Sequence, residues 1–351
     1  MPRELTYAQA INEATDLCLA NDSSVYLMGL GVPDPGGIFG TTVGLNEKYG
    51  EERVMDMPTS ENGMTGVAIG STMVGMRPIM THQRVEFALL AVEQIVNQAA
   101  KASYVCGYRM PIVIRLIVGR GWGQGPQHSQ SLHSWFAHIP GLKVIMPVTP
   151  HDAKGMLISA VKDNSPVIMF EHRWLHSIRG GVPQGIYEVP IGKARIAKKG
   201  NDITLIALSH IVLEAVRAAQ WMEDQGVSVE IIDVRTLNPL DQKTLLNSVR
   251  KTGRLVVADM AWKNAGFSGE IVALIAEKAL ESLLSPPRRV TLPDVPTPAS
   301  PALAKLFYPN ASDLVREMIL SLGNKGKNIN QLTEKKSLPT DIPDLTFQGP
   351  F

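Results

Sequence analysis

Short apolar runs and helical segments alternate along most of this chain, and that rhythm limits the fold more than any other feature. Residues 25–29 (VYLMG), 77–80, 111–118 (PIVIRLIV), 142–146 and 167–171 read as strands. Helical patterns at 87–104, 131–137 and 152–162 lie between them. Strand, helix, strand in repetition needs crossover connections, so the strands form a mostly parallel sheet with helices on both faces. The rhythm breaks at 172–200, which is rich in Gly, Pro and basic residues, and resumes from residue 202 with ITLIALS. This predicts an α/β protein of two domains, each a mostly parallel sheet flanked by helices. The first domain covers 1–178, a linker 179–200, the second domain 201–322 and an extended tail 323–351.

Within the first domain, residues 56–78 (DMPTSENGMTGVAIGSTMVGMRP) stand out. Glu61 follows Thr59 and Ser60, both suitable N-caps, and no charge appears from 62 to 76. Gly63, Gly66, Gly70 and Gly75 strip bulk from that helix. Each glycine costs about 1 kcal/mol against alanine in a helix interior, and close approach of another backbone is the usual reason for such a run. A helix uncharged all round predicts burial, with one carboxylate at its mouth. Another helix begins after Thr6, with Ala8, Ile11, Ala14, Thr15 and Cys18 on its inner face.

The net charge of +1 argues against nucleic acid and acidic membrane surfaces as partners. No apolar run reaches membrane-spanning length, and the N-terminal residues carry neither a signal-peptide core nor a transit pattern. Cys18 and Cys106, far apart, fit a reducing compartment. The expected location is therefore the cytoplasm.

The segment QGPQHSQSLHSWFAHIPG carries His128, His133 and His138. His133 and His138 sit in or beside a helix and read as packed or surface histidines rather than catalysts. His128 lies in a Gly-rich loop after a buried strand, where open α/β sheets bind ligands. The histidines have no metal-ligand spacing, and the chain has no phosphate-gripping GxGxxG, GxxxxGK[ST] or GDG…N motif.

From about Thr6 to Leu320 the chain resembles the β subunits of the thiamine-diphosphate-dependent 2-oxo acid dehydrogenase first components (pyruvate, branched-chain and acetoin). The markers are SENGMTGVAIGSTMVGMRP, AVEQIVNQAAK, QHSQSLHSWFAHIPGLKVIMPVTPHDAKGMLISAV and VSVEIIDVRTLNPLD. The resemblance implies a transketolase-type pyrimidine-binding domain followed by a transketolase C-terminal domain. It further implies an α2β2 assembly whose α-type subunit holds the diphosphate and magnesium, and a lipoyl-bearing acyltransferase as a further partner. The implied activity is decarboxylation of a 2-oxo acid and transfer of the acyl unit. The alternative is a transketolase-like carboligase that gives its unit to an aldehyde or other non-lipoyl acceptor.

On the same resemblance, Glu61 is the carboxylate facing the cofactor's pyrimidine nitrogen and His128 the proton-transfer histidine. A potassium ion is implied under the histidine loop, at Ile112, Ala160, Asp163 and Ser165. Two departures stand out. The family's usual Gly-Glu-Asp-Val is Gly29-Leu30-Gly31-Val32 here. Its Glu-Phe-Met-Thr-Phe is Thr81-His82-Gln83-Arg84-Val85, so Val85 replaces the aromatic that stacks on the cofactor unless Phe87 takes over. His82 and Arg84 add a cationic pair beside it. The tail, with Ile342, Leu345, Phe347 and Phe351 among prolines, is expected to lie across a neighbouring subunit.

Overall fold

The structure, a computed structural model, describes residues 3–120 and 122–323; the predicted tail docking lies outside them. The first helix, Tyr7–Asn21, starts where its sequence says. Thr6 accepts from the Gln9 amide and Gln9 returns a bond to the Thr6 amide, forming a capping box. Its inner residues Ala8, Ile11, Ala14, Thr15 and Cys18 are buried as expected.

The first sheet has seven strands. In spatial order they are Thr236–Asn238, Lys143–Ile145, Val167–His172, Val113–Val118, Arg77–His82, Val25–Met28 and Val54–Met55. All run parallel except Thr236–Asn238, which pairs antiparallel with Lys143–Ile145. The central strand Val113–Val118 is buried along its whole length, Arg115 included. Arg115 donates Nε and Nη2 to the two carboxylate oxygens of Glu171 at 2.5 and 3.0 Å, and Nη2 also reaches Thr41. Burial pushes the Glu171 carboxyl up, but the adjacent Arg115 charge together with hydrogen bonds from His176 and Arg115 outweighs that and holds it down at about 2. A charge in the middle of an apolar strand is thus matched across the sheet.

The second sheet orders Arg288–Leu292, Leu255–Trp262, Ile203–Ala207, Val229–Asp233 and Arg195–Lys198, the last antiparallel. Its flanking helices are Ile211–Glu223, Gln242–Thr252, Phe267–Ala279 and Ala311–Leu322. Two expectations about the boundary change. The segment 179–200 is more than a linker: Arg179–Gly181 pairs with Glu4–Thr6, and Arg195–Lys198 closes the second sheet. Residues Thr236–Asn238, expected in the second domain, extend the first sheet instead. Both follow from edge strands, whose open backbone groups take whatever chain passes beside them.

The helix predicted over 87–104 is present and runs without interruption over 85–106, but its winding changes along the way. A helical turn Val85–Ala88 leads through a π-helical stretch, Gln94–Ala99, into Ala100–Cys106. Helices with such stretches gather at functional sites. Gly141 explains one close packing. A Cβ there would lie 1.9 Å from the Ala100 carbonyl oxygen, so only glycine lets the loop cross this helix.

Candidate active site

The helix expected after Ser60 is Glu61–Thr72, but the Ser60 hydroxyl makes no capping bond. Nor is the helix buried all round. Thr65, Ala68, Ile69 and Thr72 face the core, whereas Val67 is 58% exposed and Val74, just beyond the helix, 82% exposed. Gly66 lies against the Gln94 side chain, while no described residue comes within 4 Å of a Cβ at Gly70. The uncharged composition therefore marks a face left open by this chain.

Glu61 itself is buried, 6% exposed, at the N-terminal end of that helix. Its carboxylate has no hydrogen bond or ion pair to any described residue. Its oxygens are not among the fully buried atoms, so the carboxylate is accessible to a ligand that brings a proton or a donor. The helix packs against the turn Val85–Ala88, which carries Val85, Glu86 and Phe87. Val85 is fully buried. Phe87 places its ring 5.9 Å from the His128 ring.

Glu86 was not legible as a functional residue. Its Oε1 lies 2.5 Å from His128 Nδ1, across 42 residues of sequence, and its Oε2 is buried with no partner among the described residues. His128 is half-exposed, and its other ring nitrogen, Nε2, remains for a reacting molecule. A carboxylate on Nδ1 fixes ring orientation and tautomer. Arg84 lies just before the same turn and donates to Gln124 of the Gly-rich loop, a second residue that sequence spacing did not reveal. The structure therefore gathers Glu61, Val85, Phe87 and His128 around one turn.

His82 ends the strand beside them, but not as a cation. Burial lowers its imidazole to about 4, and burial likewise holds His172 and His210 well below the usual value. The expected cationic pair reduces to Arg84 alone. These rings also make stability depend on pH. The unfolded chain gains protons on its histidines as pH falls through about 6.5, while folded His82 stays neutral down to about 4. Stability therefore falls between these values. Asp233, raised to about 6 by burial, works in the opposite direction but is a single group against several. By pH 5 the His82 difference alone amounts to about 2 kcal/mol. Urea unfolding at pH 7.5 and pH 5 should show the loss, and His82→Phe should recover part of it. An unchanged midpoint would refute the neutral burial of these rings.

The remaining candidates lie elsewhere. His133 is buried and bonds Asp259 at 3.0 Å, joining the short helix His133–Ala137 to the second sheet. His138 sits just beyond its helix and is exposed. The four potassium positions do assemble, but not under the histidine loop. Ile112 precedes the strand Val113–Val118, and Ala160, Asp163 and Ser165 surround the end of the helix Pro150–Lys162. Six strand residues span about 20 Å, and parallel strands put starts and ends at opposite edges, so the His128 loop is on the far side. There Arg77 donates to the Val161 and Asp163 carbonyls, and Lys143 meets the Asp163 carboxylate.

The geometry agrees with comparisons to known proteins. Residues 3–177 match the transketolase pyrimidine-binding domain, and residues 192–314 the transketolase C-terminal domain. The acetoin:2,6-dichlorophenolindophenol oxidoreductase subunit beta of Cupriavidus necator is 42% identical over 326 residues, 90% of this chain and 96% of that protein. The 2-oxoisovalerate dehydrogenase subunit beta of Bacillus subtilis is 41% identical over 310 residues, 87% of this chain and 95% of its own length. The pyruvate dehydrogenase E1 component subunit beta of Staphylococcus epidermidis is 39% identical over 317 residues, 90% and 97%. Among solved structures, a split-gene transketolase described as an inactive beta4 tetramer superposes with a TM-score of 0.73 at 21% identity, covering 91% of this chain and 98% of that one. That last likeness concerns the fold. With two transketolase-type domains in order and full-length relatives at this identity, the chain belongs to the family of 2-oxo acid dehydrogenase E1 β subunits.

Proposed function

We propose that this chain is the β-type subunit of a thiamine-diphosphate-dependent 2-oxo acid dehydrogenase, active with an α-type partner in an α2β2 assembly. The observation that carries this reading is Glu61: a largely buried residue whose accessible carboxylate has no partner among the described residues, one packed turn away from a carboxylate-oriented histidine. A protonated ring nitrogen of an aminopyrimidine is the kind of group that would complete it. When bound, thiamine diphosphate supplies the nucleophilic carbon and the electron sink for decarboxylation of a 2-oxo acid.

The chain's own residues do the rest. Glu61 would hold a proton between its carboxylate and that ring nitrogen. Val85 and Phe87 supply apolar surface beside the ring, and His82 a neutral, buried edge. His128 moves protons at Nε2 while Glu86 holds Nδ1. Leu30 stands where the family carries an acid, so proton relay between paired sites does not run through that position.

An α-type subunit holding magnesium and the diphosphate fits the lack of any phosphate-gripping motif here. It also fits the open, small-residue face at Gly70 and Val67. A lipoyl-bearing acyltransferase would take the acyl unit. A structural potassium ion at the carbonyls of Ile112, Ala160, Asp163 and Ser165 belongs to the same proposal. The helix C-terminus there favours a cation, and each carbonyl keeps a second lone pair. The cytoplasm suits two free cysteines, and among the described residues no helix is long and apolar enough to cross a membrane.

Calorimetry tests the central point. The chain alone should show no saturable uptake of thiamine diphosphate with magnesium, and the chain with its α-type partner should bind both. Tight binding without a partner would overturn the division of labour. Turnover with lipoamide rather than with an aldehyde acceptor separates the dehydrogenase from a carboligase.

A further inference from the structure

Three neighbouring parallel strands each deliver an arginine just past their C-terminal ends. Arg84 follows Arg77–His82, Arg120 follows Val113–Val118, and Arg173 follows Val167–His172. The register puts these ends side by side, with His82 opposite Leu116 and Val118 opposite His172. In open α/β sheets this edge is where ligands sit. Gly119 brings the backbones close, since a Cβ there would lie 3.2 Å from the Arg173 amide nitrogen. Arg120 is clasped by the rings of Trp174 and Tyr308 at 4.4 and 4.2 Å. Arg173 lies over Phe39 at 4.4 Å and near Trp122 at 5.6 Å.

Arg84 is the decisive member. It is 6% exposed, one of its nitrogens donates to Gln124, and Nη1 is buried with no partner among the described residues. Burial lowers its guanidinium from the ordinary value, Glu86 raises it, and the nearby charge of Arg173 lowers it again. Of the carboxylates close by, Glu171 meets Arg115 through both oxygens, and Glu86 holds His128 through one oxygen while its other stays buried without a partner among the described residues. His82 Nε2 is a further buried, unmet polar atom at this edge. Three arginines thus meet at this edge beside the single unmet carboxylate oxygen of Glu86, and Arg84 Nη1 has no acceptor among the described residues.

We propose that this edge, through Arg84 with Arg173 and Arg120 behind it, binds a second negative group on the substrate, so that the 2-oxo acid consumed is a dianion bearing a distal carboxylate or phosphate. The inference rests on the proposed function, because it names the substrate class of the same site. It sets this chain apart from relatives whose names carry 2-oxoisovalerate or pyruvate, both monoanions.

The test uses the assembled enzyme with its α-type partner. kcat/KM is measured for 2-oxo diacids, for a phosphorylated 2-oxo acid and for the uncharged-chain analogue 2-oxobutyrate. A preference of tenfold or more for one dianion is expected, and the better of the two identifies carboxylate or phosphate. Arg84→Gln should shrink that preference by about 10–100-fold, the worth of a charge-assisted hydrogen bond, and Arg84→Lys should retain part of it. Independently of turnover, succinate or inorganic phosphate should alter the fluorescence of Trp122 and Trp174 in the unmodified chain, and Arg84→Gln should abolish that response. Equal use of dianions and 2-oxobutyrate, with no effect of Arg84→Gln on the ratio, would overturn the proposal and assign Nη1 to a partner subunit's carboxylate. Failure to decarboxylate any 2-oxo acid would instead strike the proposed function, leaving the anion titration to decide on Arg84.

Discussion

Glu61→Gln in the assembled enzyme should lower exchange of the cofactor's C2 proton by about 10²–10⁴-fold, the range of a lost general acid–base group, with the subunits still associated. The argument starts from burial. Glu61 sits 6% exposed at the head of an otherwise uncharged helix and has no hydrogen-bond or ion-pair partner among the described residues. An amide of the same shape fills the same space, so the fold and the subunit contacts stay. It cannot share a proton with a ring nitrogen as a carboxylate does. Proton exchange followed by NMR after acid quench reads this step directly, before any substrate is added. Exchange at the native rate in the variant would show that another acid performs this role.

His128→Ala should cost about 10²–10⁴-fold in acyl transfer to the acceptor, and distinctly less in an assay that drains electrons to an artificial dye. His128 lies on a loop, half-exposed, with Nδ1 tied to Glu86 and Nε2 open. A group placed in that way acts on molecules that come and go at the mouth. Glu61, by contrast, works on a group held deep in the site. Comparing the two assays on one preparation isolates the step, because folding or cofactor loss would lower both together. Equal losses would contradict this division between the two residues.

What was readable in the sequence was what acts over a few residues. The capping pair Thr6 and Gln9 started a helix where expected, and the apolar run around Val113–Val118 became the centre of the sheet. Glu61 and His128 were legible because each sits in a distinctive local setting, an uncharged helix and a Gly-rich loop. The misreadings share one cause, which is that local pattern does not say who the neighbour is. The uncharged helix Glu61–Thr72 looked buried all round, yet one face is open in this chain, since composition registers burial without saying whether the covering surface is its own. The potassium positions cluster as expected, but at the opposite edge from the histidine loop, because the direction of a parallel strand decides which edge each end reaches.

The sequence by itself thus determined the class of fold, the order of its two units and two of the residues on which the chemistry is proposed to rest. Only the tertiary structure decided that Glu86 holds His128, that Arg115 in a hydrophobic strand meets Glu171, and that Arg84, Arg120 and Arg173 share one edge. Helix caps and hydrophobic periods follow from bonds and packing between residues near in the chain. These other meetings depend on which strand lies beside which, and the sheet settles that by burying both its faces at once.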